Sequence, residues 1–180
     1  GARLARELSL DRQEREHIEG LLRLKPDDLA ARHRKMELIY DEYVTGPVTP
    51  DPDPQGDVLL RELQFFLPSS HHPLGEEVAV EDWLRSALIH ARRREFIEHA
   101  SDLGDAAKLR PTDLDILCRY GMSLERLLGR NGDETDREIR AKLQALHANA
   151  EWVIRNKRKA DFLDDDGAQT WTELFQSLQH

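Results

Sequence analysis

Residues 109–129 read Leu109-Arg110-Pro111-Thr112-Asp113-Leu114-Asp115-Ile116-Leu117-Cys118-Arg119-Tyr120-Gly121-Met122-Ser123-Leu124-Glu125-Arg126-Leu127-Leu128-Gly129, and this stretch decides the fold class. Pro111 ends one helix, because it has no N–H to donate and its ring clashes with the preceding turn. Asp113 opens the next, since a short carboxylate can accept from the amides that a helix start leaves unpaired. Leu114, Leu117, Tyr120, Gly121, Leu124, Leu127 and Leu128 then recur every three or four residues, the spacing of one buried helical face. Gly129 and Gly132 close the segment.

The same punctuation organises the rest of the chain. Toward the N-terminus, Ser9 is a candidate cap for a helix whose stripe is Leu10, Ile18, Leu21 and Leu22. Pro26 stops that helix, and Asp27 or Asp28 caps another carrying Leu29, Met36, Ile39, Tyr40 and Tyr43. Six of the eight prolines fall between residues 47 and 73. Gly46–Gly56 reads as an extended linker, followed by a short helix over the apolar patch from Leu59 to Leu67. Pro68–Pro73, with His71 and His72 between the prolines, is a second break. Val80, Trp83, Leu84, Ala87, Leu88 and Ala91 form the next stripe, continuing through Phe96 and Ile97 to Gly104. Ala106–Leu109 is then expected as a turn. The longest helix begins near Thr135, buries Ile139, Leu143, Leu146, Ala150, Val153 and Ile154, and ends within Arg155–Lys159. Asp164–Gly167 breaks the pattern before a last short helix with Trp171, Leu174, Phe175 and Leu178. This makes seven or eight helices in four parts: 1–45, 46–79, 80–163 and 164–180.

Composition agrees. Leu supplies 27 residues against 13 Ile and Val together, and 20 Arg and 16 Ala are further helix formers. The class is all-α, built of antiparallel helix pairs as an α-solenoid or an irregular helical bundle. The formal charge of −9 argues against nucleic acid and membrane surfaces as partners, since both select a basic face. The excess is uneven: the first 90 residues carry 11 cations against 18 anions, while the basic clusters 92–94 and 155–159 lie in the second half. The lone Cys118 excludes an internal disulfide and suits a reducing, cytoplasmic setting.

Leu24-Lys25-Pro26-Asp27-Asp28-Leu29 repeats the Leu109–Leu114 junction, and after Pro111 the residues Leu117, Tyr120, Gly121 and Leu124 follow a large-x2-Leu-Gly-x2-Tyr spacing. In these features the chain resembles a degenerate tetratricopeptide repeat, a helix–turn–helix unit of about 34 residues. The likeness covers 35–60 residues and departs from the family at several positions, with Leu117 in the tryptophan slot and Leu124 in the tyrosine slot. It implies a groove lined by the first helix of each pair, and a close helix approach at Gly121.

No phosphate loop, nucleophile elbow or zinc-protease motif occurs, so no catalytic residue, metal ligand or cofactor is expected. Glu14-x-x-His17 has no second copy to complete a di-metal site, and His71-His72 reads as a polar loop. Cys118 reads as a structural cysteine on an apolar helix. Arg119, Met122 and Arg126 share one outer stripe at i, i+3 and i+7, where two planar guanidinium groups flank an apolar side chain. His33, Arg34 and Glu37 are expected to face outward similarly on the earlier helix. The functional expectation is a non-catalytic interaction module, a scaffold or adaptor that binds a protein or peptide partner through Arg34, Arg119, Met122 and Arg126. The alternatives are a regulatory segment of a larger multidomain enzyme and a helical metal-binding enzyme.

Overall fold

The structure is a computed structural model that describes residues 2–47, 53–67, 72–130 and 132–157, with side chains within residues 12–156. Seven helices account for the ordered backbone among the described residues, and no strand occurs among them: α1 (Ala2–Leu24), α2 (Leu29–Thr45), α3 (Pro54–Phe66), α4 (Glu76–Arg93), α5 (Phe96–Leu109), α6 (Leu114–Leu127) and α7 (Asp133–Lys157). The all-α class is correct. Residues 158–180, which include the expected last helix and part of the basic cluster 155–159, lie outside the described residues.

The chain divides into two compact units, Gly1–Arg85 and Ser86–His180, with the boundary inside α4. In the first unit α1 packs on α2, and α2 on α3. Ile18, Ala31 and Leu38 form a buried cluster there, with Leu21 and Leu22 against it. Pro26 breaks the chain as expected, and of the two aspartates it is Asp28 that caps α2, accepting from the Ala31 amide at 3.0 Å. Helix α1 starts well before Ser9, because the leading Ala, Leu, Arg and Glu residues favour helix strongly enough to override that residue's capping preference.

The proline-rich linker is shorter than expected at its C-terminal end. Pro54 takes the first position of α3, where its missing N–H costs nothing. Asp53 is the cap: one carboxylate oxygen accepts from the Gly56 amide at 3.0 Å and the other from the Tyr43 hydroxyl at 2.6 Å. A Cβ at position 56 would run into that same carboxylate, so the capping turn requires glycine.

In the second unit α6 packs on both α5 and α7. Ala100, Leu124, Leu127, Ile139 and Leu143 form its core cluster, with Phe96, Tyr120 and Leu128 packed on it. Asp113 caps α6 through the amides of Asp115 (3.0 Å) and Ile116 (3.2 Å). The expected face of α7 is buried at Ile139, Leu143, Leu146, Ala150 and Val153. Gly121 is buried, and a close helix approach occurs at Gly104, where an added Cβ would meet the Tyr120 ring at 3.1 Å.

Two expectations fail around α4. The stripe through Gly104 is two helices, broken at Arg94, which adopts the left-handed conformation (φ 63°). The Arg94 amide donates to the Ala91 carbonyl and the Glu95 amide to the His90 carbonyl, closing α4 with a cap that glycine usually fills. Residues 106–109, expected as a turn, are the last turn of α5. The buried face of α4 holds Val80 and Ala87 as expected but is shifted to include Asp82, Ser86 and Ile89, while Leu88 is 39% exposed. Both polar side chains have internal partners, and this is what makes their burial tolerable.

Candidate functional site

Within the first unit, α2, the turn before α4 and the first half of α4 converge on one carboxylate. Asp82 is fully buried. His33 Nε2 lies 3.0 and 2.8 Å from its two oxygens, and His72 Nε2 lies 3.2 Å from Oδ2. The Arg85 guanidinium donates to Oδ1 at 2.7 Å. Each histidine ring is tucked against Phe66, His33 edge-on with centroids 5.1 Å apart and His72 stacked at 5.8 Å. The His33 and His72 side chains are 6% and 2% exposed.

A ring of charge surrounds this core. Arg85 also donates to Glu37 at 2.9 Å and to Glu81 at 3.1 Å, while Glu37 Oε1 stands 3.8 Å from His33 Nδ1. Arg34 binds Glu37 at 3.0 Å and Glu14 at 2.7 Å. Burial by itself drives the Asp82 carboxyl up, but hydrogen bonds and charge from His33 and Arg85 outweigh it and hold the group below the usual carboxylate range. Burial likewise opposes the Arg85 charge, and the Asp82 bond with the Asp82, Glu37 and Glu81 charges more than restores it.

The outward orientation expected for His33 is therefore incorrect, because the side chain is buried on the inner face of α2. His72, read as part of a polar loop, is an interior group, while His71 lies outside the described residues. Only long-range folding unites them: His33 and Asp82 are 49 residues apart, and neither sits in a spacing pattern that marks a ligand set. No local signal marks the site, since His33 stands between Arg32 and Arg34 and His72 in a polar proline-flanked segment.

The expected binding residues fall in different units. Arg34 belongs to the first, with its guanidinium engaged by Glu14 and Glu37. Arg119, Met122 and Arg126 share one exposed stripe of α6 in the second. Met122 is 46% exposed, and Arg119 reaches Asp115 at 2.9 Å. Cys118 is buried, and burial pushes its thiol up, away from the thiolate that a nucleophile requires. A groove of about 220 Å³ lies between α1 and α2, floored by Ile18, Leu38 and Ile39 and edged by Arg15, Glu19 and Lys35. No helix among the described residues is long and apolar enough to cross a membrane. Comparison with protein families, curated proteins and solved structures finds no match to this chain.

Proposed function

We propose that this chain is a non-catalytic helical interaction module, with tetratricopeptide-like helix pairing in its second unit. The observation that carries the reading is the α6 stripe. Met122 presents an apolar surface to solvent between Arg119 and Arg126, both exposed, on a helix whose opposite face is closed by α5 and α7. An exposed methionine adapts its shape to an apolar side chain, and guanidinium groups make paired bonds to carboxylates. The partner that fits is a peptide segment with an apolar residue flanked by acidic ones. The Pro111–Asp113 junction supports the repeat-like reading, since it joins α5 to α6 with a proline stop and an aspartate cap.

Arg34 contributes differently. Its guanidinium already neutralises two carboxylates, so its part in this reading is to hold α1 on α2 in the first unit. The test is partner capture with a photo-crosslinking residue at position 122, repeated in an Arg119→Glu/Arg126→Glu variant. Crosslinks to acidic segments that vanish on charge reversal support the proposal. Crosslinks of equal yield in both forms, or none, overturn it.

A further inference from the structure

We infer that His33, His72 and Asp82 form a site for a divalent transition metal of the zinc class, independent of the α6 surface. Their three donor atoms lie within 4.8 Å of one another and come from three separate places in the chain: α2, the turn before α4, and α4. Both imidazoles aim Nε2 at the same atom, Asp82 Oδ2, at 2.8 and 3.2 Å. Neighbouring ligands of a tetrahedral zinc stand about 3.3 Å apart, given bond lengths of about 2.0–2.1 Å. Two imidazoles and one carboxylate select a borderline cation such as Zn²⁺ or Co²⁺ over Mg²⁺ or Ca²⁺, which favour all-oxygen shells.

The surroundings match what supports a metal centre. Asp82 uses its other oxygen, Oδ1, to accept from Arg85, which fixes the carboxylate and leaves Oδ2 for the cation. Glu37 stands behind His33 Nδ1 at 3.8 Å, on the ring atom opposite the metal-facing nitrogen. A carboxylate bonded to that ring atom orients a ligating imidazole; at 3.8 Å Glu37 acts on His33 through its charge, without a hydrogen bond. Phe66 packs on both rings and limits their rotation.

One contact has to change. The Leu74 amide donates to His72 Nδ1 at 3.2 Å, which places the ring proton on Nε2. A metal at Nε2 requires that single ring proton to shift to Nδ1, so the Leu74 amide must turn away. The turn that has to yield runs through Pro73 and Leu74 to Gly75, whose φ of 103° leaves it unburdened by a side chain. His33 has the Glu37 carboxylate 3.8 Å from its Nδ1, so the single proton of its neutral ring is favoured there when Nε2 binds the metal. Protons are released on binding only from a ring that starts as imidazolium.

The experiment uses the whole chain after exhaustive dialysis against a chelator. Zn²⁺ is titrated against a chromophoric competitor, and Co²⁺ is followed by its visible absorption. The expected result is one equivalent of Zn²⁺ with a sub-micromolar Kd, and an intense Co²⁺ spectrum of a four-coordinate N/O site. His72→Ala, a change outside the helices, is expected to weaken binding at least 100-fold while keeping the helical circular dichroism. Glu37→Gln is expected to weaken it about 10-fold, the scale for groups that orient a ligand. A second variant, His33→Gln, guards against misfolding in the first. The proposal is overturned if the folded wild-type chain binds no equivalent tighter than about 10 µM on this scale of structural sites. It is equally overturned if folded His72→Ala and His33→Gln both bind as the wild type does. Crosslinking at position 122 is a separate readout, so failure here leaves the α6 reading to be judged by itself.

Discussion

Asp82 in the first unit and Asp102 in the second are both buried helical carboxyls, yet their surroundings push them in opposite directions. Asp82 accepts from His33, His72 and Arg85, and is held below the usual range despite burial. Asp102 sits on α5, where burial dominates and raises it; a hydrogen bond from Ser86 and the His90 charge only partly compensate. Among the described residues no donor reaches its Oδ2, and His90 Nε2 stands 3.6 Å away, too far for a hydrogen bond. The nearby imidazoles are committed elsewhere: His90 Nδ1 donates to Glu95 at 2.6 Å, and His99 Nδ1 to the Ala87 carbonyl at 2.8 Å. Burial alone thus fixes neither the charge nor the value of a buried acid. The number of donors aimed at it does.

The largest expected effect breaks the better-satisfied side. Asp82→Ala leaves the Arg85 guanidinium and the His33 and His72 rings without the group that organises them. The expected loss is about 3–5 kcal/mol, the usual scale for removing one member of a buried charged pair. Urea denaturation of the chelator-treated protein at pH 7 checks it. A loss below about 1 kcal/mol would place Asp82 among surface carboxylates and remove the contrast with Asp102.

The converse change is expected to stabilise. Asn at position 102 keeps the shape and removes an incompletely compensated charge. The expected gain at pH 7 is about 1 kcal/mol, the lower end of the cost of a buried group left unsatisfied. If Asp102→Asn instead costs as much as Asp82→Ala, the two carboxyls play the same part and the donor count does not separate them.

That gain should also have a pH dependence of definite sign. A carboxyl raised in the folded state ionises less readily there than in the unfolded chain. Its penalty is therefore absent below the unfolded pKa of about 3.9, grows as pH rises through the interval above it, and is complete above the folded value. Asp102→Asn removes this penalty, so its advantage over the wild type is expected to be full at pH 7 and to shrink toward pH 3. Denaturation midpoints of the two proteins across that range test it, and an advantage that grows on acidification reverses the assignment.

The caps and stripes around these sites were legible in the sequence because they depend on near neighbours. Asp28 and Asp113 cap amides within three residues, and the α7 face follows from a 3.6-residue period. The Asp82 site was not legible, because its partners lie 10 and 49 residues away and periodicity reads a polar residue as outward-facing. Ser86 misled for the same reason, since its partner is on the next helix. Arg94 misled in another way. An arginine run continuous with good helix formers gives no stop signal, and the break falls at Arg94 with no proline or glycine beside it.

Arg94 offers the smallest and most local way to sharpen the contrast. It occupies the left-handed region with φ 63°, a conformation that costs a residue with a Cβ about 1–2 kcal/mol. The turn it makes sets where α4 stops and brings Glu95 to Arg93 and to His90, whose Nδ1 is thereby engaged away from Asp102. Glycine at this position relieves the strain but also loosens the unfolded chain, which offsets part of the gain. Arg94→Gly is therefore expected to stabilise by about 0.5–1 kcal/mol, and thermal denaturation at pH 7 measures it. Because the change leaves His90, Glu95 and Asp102 in place, it should add independently to Asp102→Asn. A double variant whose gain falls well short of the sum would show that the turn and the Asp102 carboxyl act as one unit.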